Sequence, residues 1–113
     1  MDAVLTVHFY RSVNGTEPVR EWLKSLPVDA RKTIGEDIKT VQFGWPLGMP
    51  LVRKMEPGLW EVRSHVDGGV ARVLFTTSSS AMVLLHGFMK KSAKTPDNEL
   101  ATARKRRVEV DNG

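Results

Sequence analysis

LWEVRSHVDGGVARVLF, residues 59–75, reads as two strands joined through Asp67-Gly68. Both runs are rich in β-branched and aromatic residues, and an Asp-Gly pair between such runs is a strong hairpin signal. With a two-residue type I′ turn, the facing pairs are Val66 with Gly69, His65 with Val70, Ser64 with Ala71, and Arg63 with Arg72. Two guanidiniums opposite each other on one sheet face repel, and such pairs destabilise a ladder. A three-residue Asp67-Gly68-Gly69 loop would send Arg72 to the other face. The turn preference of Asp-Gly favours the shorter loop and the facing arginines.

Strand alternation sorts the hairpin into two faces. Trp60, Val62, Ser64 and Val66, with Ala71, Val73 and Phe75, form the core face. Leu59, Glu61, Arg63 and His65, with Arg72 and Leu74, form a second face expected to be open or concave. Glu61 either compensates the arginines as a diagonal surface partner, or the two guanidiniums clamp a phosphate, whose geometry their forks match.

Outward from the hairpin, residues 4–10 read as an opening strand. After Asn14-Gly15, Thr16 is a plausible N-cap, and Val19, Trp22, Leu23 and Leu26 follow at helical spacing up to Pro27. Asp29 can cap a second helix over about 28–43, with Ile34, Ile38 and Val41 on its inner face and Gly44 as its stop. The stretch 44–58 is rich in proline and glycine and reads as a loop with one short extended piece at most. SSAMVLLHGFMKK, residues 79–91, gives a further strand, and Thr95-Pro96-Asp97 opens a final helix with Thr95 as N-cap. The order β-α-α-β-β-β-α describes an α+β fold with an antiparallel sheet packed against helices, in a single domain over residues 1–113.

The chain has 113 residues, enough for one modest core. It has no cysteine, which removes disulfides, thiolate metal sites and thiol catalysis. Its first residues lack a basic leader, and no apolar run approaches a membrane span, so a cytoplasmic protein is expected. The net charge is +4, and between Lys90 and Arg107 the cations Lys90, Lys91, Lys94, Arg104, Lys105, Arg106 and Arg107 stand against only Asp97 and Glu99. That local excess suits a polyanion or an acidic partner. Cations at a helix C-terminus are also favoured by the macrodipole, which covers Arg104 to Arg107 but not the three lysines.

LWEVR, then VARVLF, then LLHGFMKKSAKTP followed by a helix with a basic end, resemble the phage-derived Gp49-like branch of the HigB toxins, within the RelE/ParE superfamily. The resemblance implies a RelE-like fold and a ribosome-dependent mRNA endonuclease, a toxin that blocks translation. It also implies a cognate helix-turn-helix, HigA-like antitoxin, with ribosome and mRNA as further partners. Carried over position by position, it places basic site residues at Arg63, at Arg72, and at Lys90, Lys91 and Lys94. The aromatic that some relatives use to stack a base has no clear counterpart, since Tyr10 is the only tyrosine.

Metal-free RNA cleavage needs the 2′-OH deprotonated, the phosphorane charge stabilised and the 5′-oxygen protonated. Arginines supply the second function. His86 is a candidate acid or base because histidine titrates near neutrality, although a lone histidine on an apolar strand also serves structural roles. Its parity along the strand groups it with Met82, Leu84, Phe88 and Lys90. The candidate catalytic set is therefore Arg63, Arg72, His86, Lys90 and Lys91, with Lys54, Lys94, Arg104, Lys105 and Arg107 as RNA contacts. No metal or other cofactor is expected. A ParE-type gyrase inhibitor without catalysis and a non-enzymatic phage-derived binding protein are the alternatives.

Overall fold

The computed structural model describes residues 3–90 and 95–112. The elements are β1 (Thr6–Phe9), α1 (Pro18–Lys24), α2 (Val28–Gly44), β2 (Val52–Glu56), β3 (Leu59–Val66), β4 (Gly69–Ser78), β5 (Ala81–Lys90) and α3 (Asp97–Asn112). The strands form one five-stranded sheet in the order β1-β5-β4-β3-β2.

Two features depart from the expected all-antiparallel four-strand order. β1 runs parallel to β5, so the sheet is mixed. The extended piece within 44–58 is a true edge strand, with Val52 opposite Val62 and Glu56 opposite Leu59. It forms because Val52 is buried and because Pro57-Gly58 closes a tight turn. Proline presets φ at the first turn position, and Gly58 takes the positive φ of 81° that the second requires.

The decisive hairpin has the expected register, with Arg63 opposite Arg72 and Val66 opposite Gly69. Its turn is not type I′, because only Gly68 (φ 89°) and Gly69 (φ 147°) are left-handed there and Asp67 keeps a negative φ. The two-residue loop length fixed the pairing even though the turn type differs.

The second face of the sheet is not open, because helices cover both sides. α1 and α2 bury Val19, Ile34, Ile38 and Val41 against Val52, Val62, Val73, Phe75, Met82 and Leu84. α3 covers Leu59, Leu74, Val83, Leu85 and Phe88 with Ala103. Burial on two faces explains why β4 is buried without a break from Ala71 to Thr76. Trp45, Trp60 and Phe75 pack as an edge-to-face and stacked cluster with centroids 5.0–5.9 Å apart, so these tryptophans are core residues.

The expected caps are not used. α1 and α2 begin after Glu17 and Pro27 with no side-chain cap; Thr16 bonds Ser12 across the preceding loop instead. Thr95 stands before Pro96, outside α3, and its hydroxyl is engaged elsewhere.

A β-bulge sets the parity of β5. Leu74 faces His86 while Phe75 faces Leu84, so Leu85 is the extra residue. Met82 and Leu84 therefore point to the α1/α2 side, and His86, Phe88 and Lys90 to the α3 side. The uninterrupted alternation expected from the sequence is corrected here. Among the described residues no helix is long and apolar enough to cross a membrane.

Gly87 carries the α1 contact, since a Cβ there would lie 2.3 Å from Trp22 Cε3. Gly87→Ala should lower stability by about 1–3 kcal/mol, the usual cost of overpacking. Gly35→Ala, whose Cβ would meet nothing within 4 Å inside α2, should raise it by about 0.4–1 kcal/mol. Urea unfolding of both variants checks the pair.

Candidate nucleic-acid interface

The cross-strand pairing arranges charged residues in rows on the α3 side of the sheet. One row runs Arg53, Glu61, Leu74, His86; the next Arg63, Arg72, Phe88; the last His65, Val70, Lys90. Lys54 faces Trp60 and so lies on the opposite side. Arg53, not Lys54, is the β2 cation on this face, a consequence of the Val52–Val62 register that the loop sequence did not disclose.

Arg72 is 1% exposed and Glu61 is fully buried. Arg72 Nη1 lies 3.6 Å from Glu61 Oε1 and donates to Thr95 Oγ1 at 3.0 Å. The Thr95 hydroxyl in turn donates to Glu61 Oε2 at 2.5 Å. Burial pushes the Arg72 guanidinium below its ordinary pKa, Glu61 pulls it back up, and Arg63 and Arg53 push it down again. Arg72 and Arg63 thus face each other without forming a symmetrical phosphate clamp. Arg72 belongs to the protein interior, and Arg63 is the partly exposed member.

His86 is similarly engaged. Arg106 Nη1 lies 3.3 Å from its Nδ1 and also donates to the Leu85 carbonyl at 2.8 Å. A guanidinium can only donate, so Nδ1 accepts and the ring proton sits on Nε2. Nε2 then donates to Glu99 Oε1 at 3.1 Å. With both nitrogens taken and the ring stacked on Phe88, centroids 5.6 Å apart, His86 is a joint between β5 and α3. This arrangement does not present it as a free acid or base.

Three of the four cations at the basic end of α3 are tied to partners within the molecule. Arg104 holds Glu56 through Nε at 2.8 Å and Nη2 at 2.7 Å, a bond that keeps the Glu56 carboxyl below its usual range. Arg107 donates to the Pro57 carbonyl at 2.7 Å and lies across Gly58. Arg106, absent from the expected site list, also packs over the Tyr10 ring, 5.3 Å from its centroid. Lys105 is exposed. Lys91 and Lys94 lie outside the described residues. The cations left on the accessible part of the face are exposed Arg53 and half-buried Arg63 and Lys90, beside exposed His65.

A small mixed-sheet α+β domain with a cation-bearing face beside its C-terminal helix is broadly consistent with the RelE-like fold. Residues 21–108 match the family described as phage-derived protein Gp49-like (DUF891), and the chain belongs to that family, which is of RelE-like toxin type. No curated protein matches the chain significantly.

Removing one partner of the buried pair should be costly. Arg72→Ala should destabilise by about 3–5 kcal/mol, whereas Arg72→Met combined with Glu61→Leu should recover most of the loss, because no charge is then left buried alone. Denaturant unfolding of the three proteins checks this. Burial and the bond to Glu109, 3.0 Å from its hydroxyl, raise the Tyr10 pKa above the ordinary 10.0. Its stabilising contribution is complete below pH 10 and disappears as pH rises through the folded value. Because Tyr10 is the only tyrosine, alkaline absorbance titration should show one native midpoint above the unfolded one, and Glu109→Gln should move it down.

Proposed function

We propose that this protein is the toxin of a type II toxin–antitoxin pair, an endoribonuclease that cuts mRNA on the ribosome. Membership of the Gp49-like family supports the toxin class. The observation that carries the activity is the charge arrangement of the α3-side face. Arg53, Arg63 and Lys90 reach its accessible part, and its buried carboxylate, Glu61, is already occupied by Arg72. The exposed field there is cationic, as a polyanion strand requires.

In this reading the mRNA backbone lies across β2, β3 and the end of β5. Arg63 forks onto the scissile phosphate and stabilises the phosphorane as the 2′-hydroxyl, giving up its proton to solvent water, attacks phosphorus. The bond from phosphorus to the 5′-oxygen breaks, leaving a 2′,3′-cyclic phosphate and a 5′-hydroxyl. The Lys90 ammonium is a proton donor on the same face for that leaving oxygen, and Arg53 holds a neighbouring phosphate. A 2′-oxygen must be in line with the bond it breaks, and the ribosome supplies that alignment, so modest protein machinery is sufficient. The reaction calls for no metal. The protein acts in the cytoplasm, and a helix-turn-helix antitoxin of HigA type restrains it.

Induced in cells, the wild-type chain should stop translation and leave new mRNA 5′ ends within reading frames, with DNA supercoiling unchanged. Arg63→Ala should reduce cleavage by about 10²–10³-fold, the scale for losing one transition-state donor. Arg53→Ala should weaken it less, Lys54→Ala should keep full toxicity, and all three should retain native circular dichroism. Full toxicity in the Arg53→Ala/Arg63→Ala double variant, or relaxed supercoiling with intact mRNA, would overturn the nuclease reading, the latter in favour of a gyrase target.

A further inference from the structure

β3 outruns β2 at the end away from the Pro57-Gly58 turn. The pairing of the two strands ends at Val52 with Val62, and the Arg63 N–H adds one bond to the Leu51 carbonyl. Main-chain groups alternate sides along a strand. The N–H and C=O of His65 therefore point the same way as those of Arg63, toward an edge that no strand covers among the described residues.

Two cavities adjoin along that edge, sharing Thr33 and His65. One, of about 410 Å³, is walled by Pro27, Asp29, Thr33, His65 and Asp67. The other, of about 320 Å³, lies between Thr33, Asp37, Leu51, Arg63 and His65. Together they form a groove between the uncovered edge of β3 and the first ten residues of α2. That length of helix spans about 15 Å, which matches four or five residues of extended chain at about 3.3 Å each.

The rim carries Asp29, Asp37 and Asp67, and no ion pair holds any of these carboxylates among the described residues. Unpaired carboxylates on a chain of net charge +4 mark this edge off from the cationic face around the corner. They repel phosphates and favour lysine or arginine. The His65 N–H and C=O beside them, which no strand pairs among the described residues, favour a polypeptide that pairs as a strand.

We infer that this groove binds an extended, basic segment of a partner polypeptide, which joins β3 as an added strand and sets its cationic side chains against Asp29, Asp37 and Asp67. Arg63 lines one end of the groove, so a seated segment crowds the guanidinium that the RNA strand uses. As an inhibitory site the groove rests on the nuclease reading; as a binding site it does not.

The test titrates the full chain with a fluorescein-labelled Lys-Val-Lys-Val-Lys-Val peptide, its glutamate counterpart, and the lysine peptide with alternate amides N-methylated. Saturable anisotropy change is expected with the lysine peptide alone. Asp29→Asn, Asp37→Asn and Asp67→Asn combined should weaken its binding at least tenfold, and hydrogen exchange at the His65 amide should slow in the complex. Equal binding of the glutamate or N-methylated peptide, or an unchanged affinity in the triple variant, would overturn the proposal. So would protection of the His65 amide by an oligouridylate in place of the peptide, which would make the groove an RNA channel. The readout is binding, so a chain without nuclease activity leaves this result standing, and a failed titration leaves the nuclease reading standing.

Discussion

The buried pair of Arg72 and Glu61, bridged by the Thr95 hydroxyl, is the constraint on which the rest of the molecule depends. It ties adjacent strands to Thr95, two residues before α3 begins, so the register of the hairpin and the start of the helix are specified by the same three side chains. A slip of one strand by one residue would turn its charge to the opposite face, among core side chains, and leave the other charge buried without it. Such a pair adds little net stability over an apolar substitute, but its wrong arrangements are expensive, and what it confers is a single register. It also explains how the sheet tolerates facing arginines. Arg72 is neutralised by Glu61 on the adjacent strand, leaving Arg63 to carry charge toward solvent.

α3 follows the same logic on a larger scale. Only Leu100, Ala103 and Val110 of its residues join the apolar layer. The helix is fastened by side chains that would ordinarily read as a solvated basic tail: Arg104 and Arg107 on the β2–β3 turn, and Arg106 and Glu99 on either side of His86. Most of the C-terminal arginine charge is therefore engaged by partners within the molecule, although Arg104 stays exposed. On the sheet itself, the accessible positive field comes from Arg53, Arg63 and Lys90, which sit on strands. Strands give a more rigid platform than a helix end attached through long side chains.

The sequence made some of this legible and left the rest hidden for identifiable reasons. Asp67-Gly68 between two β-rich runs was enough to give the pairing of Arg63 with Arg72, because a two-residue loop fixes register whatever its turn type. Ile34, Ile38 and Val41 marked the inner face of α2 because helical periodicity survives in an amphipathic segment. The second core was not legible, since α3 is too polar to announce a buried face, and Leu59 and Leu74 alone did not require a cover. Neither the bulge at Leu85 nor the place of Arg53 could be read from residue types. A bulge is one uncounted residue that inverts every assignment beyond it, and a short edge strand among prolines takes its parity from its neighbour.

Inverting that parity has a functional consequence. Without the extra residue at Leu85, His86 and Lys90 would point at α1 with Met82, and a lysine would press into the layer that holds Trp22. With it, Lys90 joins Arg63 on one surface, and Gly87 takes the crowded position against the indole. The same strand β3 then presents two unlike surfaces within a few residues of each other. Its side chains offer cations to a phosphate backbone, while its main chain, beyond the end of β2, offers at His65 an edge that no strand covers among the described residues, beside carboxylates. Arg63 belongs to both, so in the proposed scheme occupancy of one surface must be felt at the other. Two ligands that share a guanidinium compete, and a partner that fills the groove needs no contact with the rest of the cationic face to silence it.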